Sequence, residues 1–254
     1  MTDDANLSFA RRLCARERLL ATWIKTPHPH VVEVLGLTEL DALVIDAEHA
    51  PFDRSAIDAA LLAARAASIA ALVRPPANEA AAILQALDGG AGGIVVPHIR
   101  NAEEAASAVK ACRYVPGGRG FAGSTRAAAY TTKGMAAQRA TSGDPLVIAQ
   151  IEDAEALEHL SAIASTPGLD ALFVGRADLT VSLEAGSPDD AVVVKAVADI
   201  CAAAKRANIP VGMFLARPTD AREWEKKGAT FFFLKSDQEF LLAGARDLIA
   251  SFNG

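Results

Sequence analysis

Aromatic residues are scarce in this sequence, at 6% of the chain, and basic residues are outnumbered by acidic ones. The 25 Lys and Arg against 31 Asp and Glu give a formal net charge of −6. There is no basic block and no stacking pattern of aromatics, so we expect no nucleic-acid partner. No apolar run approaches the roughly 20 residues that a membrane span needs, and the acidic N-terminus lacks the apolar core of a secretory signal. We therefore expect no membrane partner.

Cysteine is also rare. The three cysteines, Cys14, Cys112 and Cys201, lie far apart in the chain. An odd and scattered set argues against a disulfide scaffold or a zinc ribbon and is typical of a reducing compartment. We therefore expect a cytoplasmic protein.

Apolar residues, in contrast, make up 51% of the chain, which is too many for a disordered protein. The 254 residues fit either two domains of about 150 residues or one (β/α)₈ barrel of about 250 residues. Most of the short apolar runs are continuous rather than alternating, which predicts strands buried on both faces of a parallel sheet. The eight predicted strands are residues 21–25, 42–46, 70–74, 93–97, 146–151, 171–175, 210–215 and 231–235.

Alanine-rich segments with helical periodicity separate these strands. Several begin with a capping Asp or Asn and carry acidic residues in the first turn, as Asn101, Glu103 and Glu104 show. The predicted helices are residues 53–67, 78–87, 101–112, 153–165, 188–208, 218–227 and 238–252, with an extra N-terminal helix at residues 8–19.

No linker or low-complexity stretch interrupts this order. The pattern predicts an α/β fold, a single (β/α)₈ TIM barrel domain over residues 1–254 with an extra N-terminal helix. A doubly wound open sheet is the alternative, but the Gly-rich turn that such a sheet carries after its first strand is absent. The longest irregular stretch, residues 114–144, is long enough to predict a functional loop.

Two acidic residues end consecutive predicted strands. Glu152 follows the fifth strand and Asp178 follows the sixth, at the barrel face where active sites lie. Two carboxylates brought close together repel unless a cation compensates them, and Mg²⁺ or Mn²⁺ suits such oxygen ligands. The alternative is that each carboxylate caps the helix that follows its strand, a task that Asp153 could perform beside Glu152. The spacing alone leaves both interpretations open.

A second polar group follows the second strand, where Asp46, Glu48 and His49 lie together. A histidine beside carboxylates can act as a general base with an orienting partner, or it can be a hydrogen-bonded structural residue. Arg74 ends the apolar third strand, and a buried guanidinium needs an anion. That anion is either a substrate carboxylate or phosphate, or the side chain of Asp46 or Glu48.

The remaining candidates give weaker signals. For His28, His30 and His98 we expect surface or packing roles rather than a place in the site. Trp23, on the first strand, is expected to be a wall or core residue.

The polar run after the second strand resembles a known signature. DAEHAP at residues 46–51 is similar to the D-x-E-H-x-P motif of the class II, metal-dependent pyruvate aldolases of the HpcH/HpaI family. Together the matches are specific and extend over nearly the whole chain. The further matching runs, in the family's order, are VRP at 73–75, VVP at 95–97, NAEEA at 101–105, RY at 113–114, QIE at 150–152 and GRADL at 175–179.

The resemblance implies a role for each matching residue. Glu152 and Asp178 would hold the divalent metal ion, Mg²⁺ or Mn²⁺ with Co²⁺, Zn²⁺ and Ni²⁺ as alternatives, and a pyruvate-type donor would chelate it. Arg74 would contact the keto or enolate oxygen, and His49 would transfer a proton. Asp88 would reach across a subunit interface to orient that histidine.

The resemblance also implies supporting and substrate-binding residues. Asp46 and Gln150 would support the site, and the backbone around Gly175 and Ala177 would receive the donor carboxylate.

Selection of the acceptor aldehyde is expected to fall to Trp23, Phe214, Leu215 and the loop at residues 114–144. One residue departs from the family pattern. Arg176 stands where the family commonly has proline, which could change the rigidity of the loop and add a positive charge near the donor.

The expected activity is the reversible cleavage of a 4-hydroxy-2-oxo acid to an aldehyde and pyruvate, or a related 2-oxo acid such as hydroxypyruvate, through a metal-stabilised enolate. We expect no Schiff-base lysine, since the strands before Glu152 and Asp178 contain none and Lys25 and Lys235 lack a partner motif. An acyl-CoA lyase of citramalyl or malyl type and a non-catalytic binding barrel are the alternatives. The resemblance also implies a homohexamer whose C-terminal helix, residues 238–252, packs on, or swaps onto, a neighbouring subunit.

Overall fold

Eight parallel strands close into a barrel in the computed structural model, which describes residues 4–141 and 143–253. Each strand pairs with the next one in the sequence, and the last pairs with the first. This topology confirms the (β/α)₈ barrel. The strands are β1 (Leu19–Ile24), β2 (Ala42–Asp46), β3 (Ala70–Arg74), β4 (Gly93–Val96), β5 (Leu146–Ile151), β6 (Ala171–Val174), β7 (Val211–Leu215) and β8 (Phe231–Ser236).

Helices surround this sheet. None among residues 4–141 and 143–253 has the length and apolar character that a membrane crossing requires. The α-helices are α1 (Ala5–Cys14), α2 (Pro29–Leu35), α3 (Arg54–Ala66), α4 (Ala80–Asp88), α5 (Ala102–Cys112), α6 (Met135–Ala140), α7 (Leu160–Ala164), α8 (Arg176–Ser182), α9 (Ala191–Ala207), α10 (Ala221–Lys226) and α11 (Asp237–Asn253), with 3₁₀ turns at Ala154–His159 and Pro218–Asp220.

The strand predictions hold to within two residues, whereas three helix predictions need correction, among them that at residues 218–227, which begins as the 3₁₀ turn Pro218–Asp220 before α10. The extra N-terminal helix is present, but it runs from Ala5 to Cys14 because Asp4 caps its start and Arg16 adopts a left-handed φ of 59° soon after its end. The helix expected at residues 153–165 is instead a 3₁₀ segment followed by the short α7. Helices α2, α6 and α8 were not predicted, because each is only six or seven residues long.

Side chains inside the barrel form an inner core that contains most of the large buried rings. Trp23 meets Phe173 and Phe233 edge to face, at centroid separations of 5.9 and 5.1 Å, and Phe231 packs beside both phenylalanines. Such aromatic pairs add about 0.5–1.5 kcal/mol each beyond area burial. A chain with few aromatic residues therefore concentrates several of them beneath the carboxyl ends of the strands.

The long stretch at residues 114–144 lies at the other end of the barrel. It follows α5 and leads into the start of β5, which places it at the amino ends of the strands. Arg126 confirms this position, because it donates to the Gly89 carbonyl at 2.8 Å and pairs with Asp58 at 2.9 Å. The stretch therefore cannot select an acceptor in its own barrel, since active sites lie at the carboxyl ends.

Gly212 on β7 gives a test of the packing inside the barrel. A Cβ atom at this position would lie 2.3 Å from the Phe231 ring, so we expect Gly212→Ala to lower the free energy of unfolding by about 1–3 kcal/mol through overpacking. Urea denaturation measures this loss. Gly123→Ala is the control, because a Cβ there meets no described residue within 4 Å. Equal stability of the two variants would contradict the packing.

Candidate active site

A line of alternating charges crosses the carboxyl ends of the strands. Each member contacts the next, and the line begins after β1 and ends after β5. This is the barrel face where active sites lie. We call it the charged row, and its members in order are Lys25, Asp46, Arg74, Glu48, His98 and Glu152.

Arg74 is the centre of this row and is almost fully buried. Its Nε and Nη2 atoms lie 3.0 and 2.9 Å from Asp46 Oδ1, and its Nη1 lies 3.0 Å from Glu48 Oε2. The guanidinium also stacks on Trp23, with Cζ 4.2 Å from the ring centroid. The structure thus confirms ion pairs with both carboxylates that the sequence offered as partners. The indole of Trp23 contributes a third contact.

His98 joins the two acidic halves of the site. Its Nε2 lies 3.4 Å from Glu48 Oε1, and its Nδ1 lies 3.5 Å from Glu152 Oε1 and 3.1 Å from Asp153 Oδ2. Its backbone N–H also donates to Glu152 Oε1 at 2.9 Å, from a left-handed φ of 54°. A non-glycine residue in this conformation is strained, and such strain clusters at functional sites. His98 is exposed, as expected of a surface residue, but these contacts also give it a place in the charged row.

Two neighbours hold Glu152 in place. The Gln150 amide donates to Glu152 Oε2, and both side chains are almost fully buried. Gly175 lies against the same carboxylate, since a Cβ atom there would come 2.6 Å from Oε2. Glycine at this position therefore provides the space that the Glu152 carboxylate occupies.

The acidic groups of the row differ in their electrostatics. Burial raises the pKa of Glu48 and of Glu152, and the nearby positive charges and hydrogen bonds offset this only in part. Burial also opposes ionisation of Asp46, but Arg74, the His49 N–H and Lys25 outweigh it and lower the pKa of Asp46. The charge of Asp46 is thus compensated within the protein, whereas Glu48 and Glu152 lack full compensation.

A divalent cation would fit this pair. One donor atom each of Glu48, His98 and Glu152 lies within 4.8 Å of the others. The carbonyl oxygen of the Gln150 side chain is buried beside them and has no hydrogen-bond partner among the described residues. Carboxylate oxygens with one imidazole nitrogen are a suitable donor set for several divalent ions. The residues present therefore suit the metal ion that the sequence led us to expect.

Comparison with known proteins identifies the family of this chain. A family model described as HpcH/HpaI aldolase/citrate lyase matches residues 19–243. The chain belongs to the HpcH/HpaI family.

Three relatives illustrate the similarity. The 5-keto-4-deoxy-D-glucarate aldolase of Klebsiella pneumoniae is 35% identical over 247 residues, which cover 96% of each chain. The hydroxypyruvate/pyruvate aldolase of Paraburkholderia phytofirmans is 35% identical over 246 residues, with 94% of each chain covered. Among solved structures, an HpcH/HpaI aldolase/citrate lyase family protein from Burkholderia cenocepacia superposes with a TM-score of 0.92 at 33% identity, covering 97% of this chain and 99% of that one.

Two expected site residues of this HpcH/HpaI barrel lie at the edge of the charged row. Asp178, in the first turn of α8, is exposed, and its charge contributes to the raised pKa of Glu48. The His49 side chain is half exposed, with Nε2 3.7 Å from Glu48 Oε2. Asp178 and His49 therefore border the cluster of Glu48, His98 and Glu152.

Asp88 lies far from this cluster in its own chain. It is the last residue of α4, and the chain then enters β4, so Asp88 is at the amino ends of the strands. There it accepts a hydrogen bond of 2.6 Å from Arg119. Its expected partner His49 follows β2 at the opposite end. Contact between the two would need a second subunit.

The expected acceptor-binding residues separate into two groups. Trp23 and Phe214 belong to the inner core, and Phe214 is partly exposed on that side. Leu215 points the other way and is fully buried in the layer between the sheet and the helices, because side chains alternate along a strand. Its side chain therefore has no surface on the barrel mouth, and Phe214 occupies the inward position of β7.

Arg176 is also directed away from the charged row. Its Nη2 donates to the Pro188 carbonyl at 2.8 Å, and its Cζ lies 5.1 Å from the ring centroid of Trp224. The idea that Arg176 adds positive charge near the donor is therefore not supported by its position. It anchors the start of α8, which carries Ala177 and Asp178, to the segment that connects α8 to α9.

The space beside Gly175 yields a prediction about metal binding. Gly175→Ala would push the Glu152 carboxylate from its position, and we expect Mn²⁺ affinity to fall by about tenfold or more. Isothermal titration calorimetry with MnCl₂ measures the change. Gly186→Ala, whose Cβ would make only an ordinary 3.6 Å contact, should bind as the unmodified protein does. Unchanged affinity in Gly175→Ala would contradict this account of Glu152.

Proposed function

We propose that the chain is a carbon–carbon lyase that reversibly cleaves a 4-hydroxy-2-oxo acid to an aldehyde and pyruvate, or a related 2-oxo acid such as hydroxypyruvate. The observation that carries this proposal is the charged row, in which a buried guanidinium adjoins a cluster of carboxylates and a histidine. Cleavage produces an enolate, and cationic groups directed at its oxygen stabilise the developing charge. The aldolase names of the two relatives agree with this reaction.

Glu152 and Asp178 would hold a divalent cation, as the family resemblance implies. Glu48 and His98 lie close enough to add ligands or to orient them. When bound, the cation would supply Lewis-acid stabilisation of an enolate oxygen. Mg²⁺ and Mn²⁺ suit the carboxylates, and the imidazole of His98 adds Co²⁺, Zn²⁺ and Ni²⁺ as candidates.

The chain's own residues would orient the substrate and move the proton. Arg74 would donate to the keto oxygen with N–H groups that its two carboxylate partners leave free. The backbone of Gly175 and Ala177, at the start of α8, would receive the donor carboxylate. His49 would take the proton from the C4 hydroxyl as the C3–C4 bond breaks. The electron pair of the C3–C4 bond would form the enolate, and the protonated His49 would then return the proton to C3 to complete the 2-oxo acid.

Glu152→Gln tests this mechanism directly. Loss of the carboxylate should lower pyruvate release from a 4-hydroxy-2-oxo acid by about 100-fold or more, because the cation site is lost. A coupled lactate dehydrogenase assay measures pyruvate. Glu155→Gln, at an exposed position on the adjacent 3₁₀ turn, is the control and should retain activity.

Three outcomes of that assay would count against the proposal. Activity that survives both EDTA and Glu152→Gln would refute the metal–enolate mechanism. Cleavage of a citramalyl or malyl thioester of coenzyme A, without cleavage of the free acid, would favour the acyl-CoA lyase. Binding of 2-oxo acids without turnover of either substrate would favour the non-catalytic barrel.

We also propose that the protein is a homo-oligomer, with a hexamer expected from the family resemblance. Helix α11 supports this, because it exposes a large apolar surface that a neighbouring subunit would cover. The exposed residues, at 51–88%, are Leu241, Leu242, Leu248, Ile249 and Phe252.

The distance of Asp88 from its own His49 makes the interface testable. If Asp88 acts on the neighbour's histidine, Asp88→Asn and His49→Asn should each be nearly inactive, but co-assembled subunits should regain activity. Random assortment of equal amounts would restore both side chains in about a quarter of the sites. Cleavage assays on co-expressed, doubly tagged oligomers measure this recovery. No recovery in verified mixed oligomers would refute the shared site.

A further inference from the structure

Lys25 is a charged member of the row to which the proposed reaction assigns no role. Leu19, Ala21 and Trp23 are the inward-facing residues of β1, and Lys25 continues this alternation just beyond the strand. Its Nζ atom lies 3.3 Å from Asp46 Oδ2, and its side chain is 29% exposed. The ammonium group therefore lies at the barrel mouth, in reach of a substrate.

Asp46 depends less on Lys25 than on Arg74 and the backbone, since Lys25 makes the smallest of the contributions that lower the pKa of Asp46. Its Oδ1 atom accepts from Arg74 and from the backbone N–H groups of Glu48 and His49, at 3.0–3.2 Å. An ammonium group has three donors, and the ion pair with Oδ2 is the contact that Lys25 Nζ makes within the described part of the chain. Lys25 thus has donor capacity left for a second anion.

The position of Lys25 in the row points to one end of the substrate. Glu48, His98 and Glu152 form the candidate metal cluster, and Arg74 and Asp46 separate Lys25 from it. A 2-oxo acid bound at the cluster would therefore reach Lys25 only through the carbon chain beyond the cleaved bond. That part of the substrate becomes the aldehyde.

We propose that Lys25 binds an anionic group on the aldehyde, and hence that the substrates are 4-hydroxy-2-oxo acids with a second anionic group, such as a carboxylate, at the far end. The ion pair with Asp46 holds the ammonium group at the barrel mouth. The substrate anion accepts hydrogen bonds from the N–H groups of Lys25 that Asp46 leaves free. This inference rests on the proposed aldolase function and specifies its substrate class.

A matched pair of aldehydes tests the proposal in the condensation direction with pyruvate as donor. Glyoxylate and glycolaldehyde are similar in size, but only glyoxylate carries a carboxylate. For Lys25→Met we expect the KM for glyoxylate to rise by about 10- to 100-fold, as for a lost charge-assisted hydrogen bond, and the KM for glycolaldehyde to change less than about threefold. Lys25→Arg should retain the preference for glyoxylate.

Two measurements accompany this comparison. Lys195→Met, at an exposed position on α9 paired with Asp199, is the control for loss of a lysine and should retain both KM values. Mn²⁺ affinity of Lys25→Met, measured by calorimetry, should match that of the unmodified protein, since Lys25 lies outside the cluster.

Several results would overturn the assignment. An equal rise in KM for both aldehydes would show that Lys25 acts only by positioning Asp46. Unchanged KM values would show that Lys25 does not contact the acceptor. Trapping of pyruvate on Lys25 by borohydride would show a Schiff base instead. If the unmodified protein condenses pyruvate with neither aldehyde in the presence of Mg²⁺ or Mn²⁺, the aldolase function itself fails.

Discussion

The site depends on the burial of two carboxylates, Glu48 and Glu152, at the mouth of the barrel on either side of His98. Burial raises the pKa of both, because it makes their ionised forms costly. Arg74 compensates Glu48 only in part and is shared with Asp46. A divalent cation would compensate the remaining negative charge of Glu48 and Glu152. The arrangement therefore suits the binding of a cation better than it stabilises the fold.

The inner core and the residues next to Glu152 hold these buried charged groups in place. Trp23 supports the guanidinium of Arg74 and packs on the phenylalanine rings of the inner core. Gln150 and Gly175 determine where the Glu152 carboxylate lies. A well-packed interior resists the relaxation that would otherwise let the charged groups move apart into water.

The strands and their polar ends were predictable, because continuous apolar runs mark buried parallel strands and the residues after them gather on one face. Asp46, Arg74 and Glu152 were found in this way. His98 was missed, since its place depends on a left-handed backbone turn that no pattern of residue types reveals. Tertiary packing likewise determines the inward direction of Phe214 and the outward direction of Leu215 and Arg176. It also determines the position of residues 114–144. Lys25 was excluded as a Schiff base, and its pairing with Asp46 appeared only in three dimensions.

A crystal structure of the protein with Mn²⁺ and pyruvate tests the central claim most directly. Anomalous scattering locates the ion independently of the protein atoms. The account predicts a manganese peak about 2.0–2.3 Å from a Glu152 carboxylate oxygen. It also predicts that the keto oxygen of pyruvate lies between the ion and Arg74. An ion bound away from Glu152, or pyruvate bound without contact to the ion, would contradict it.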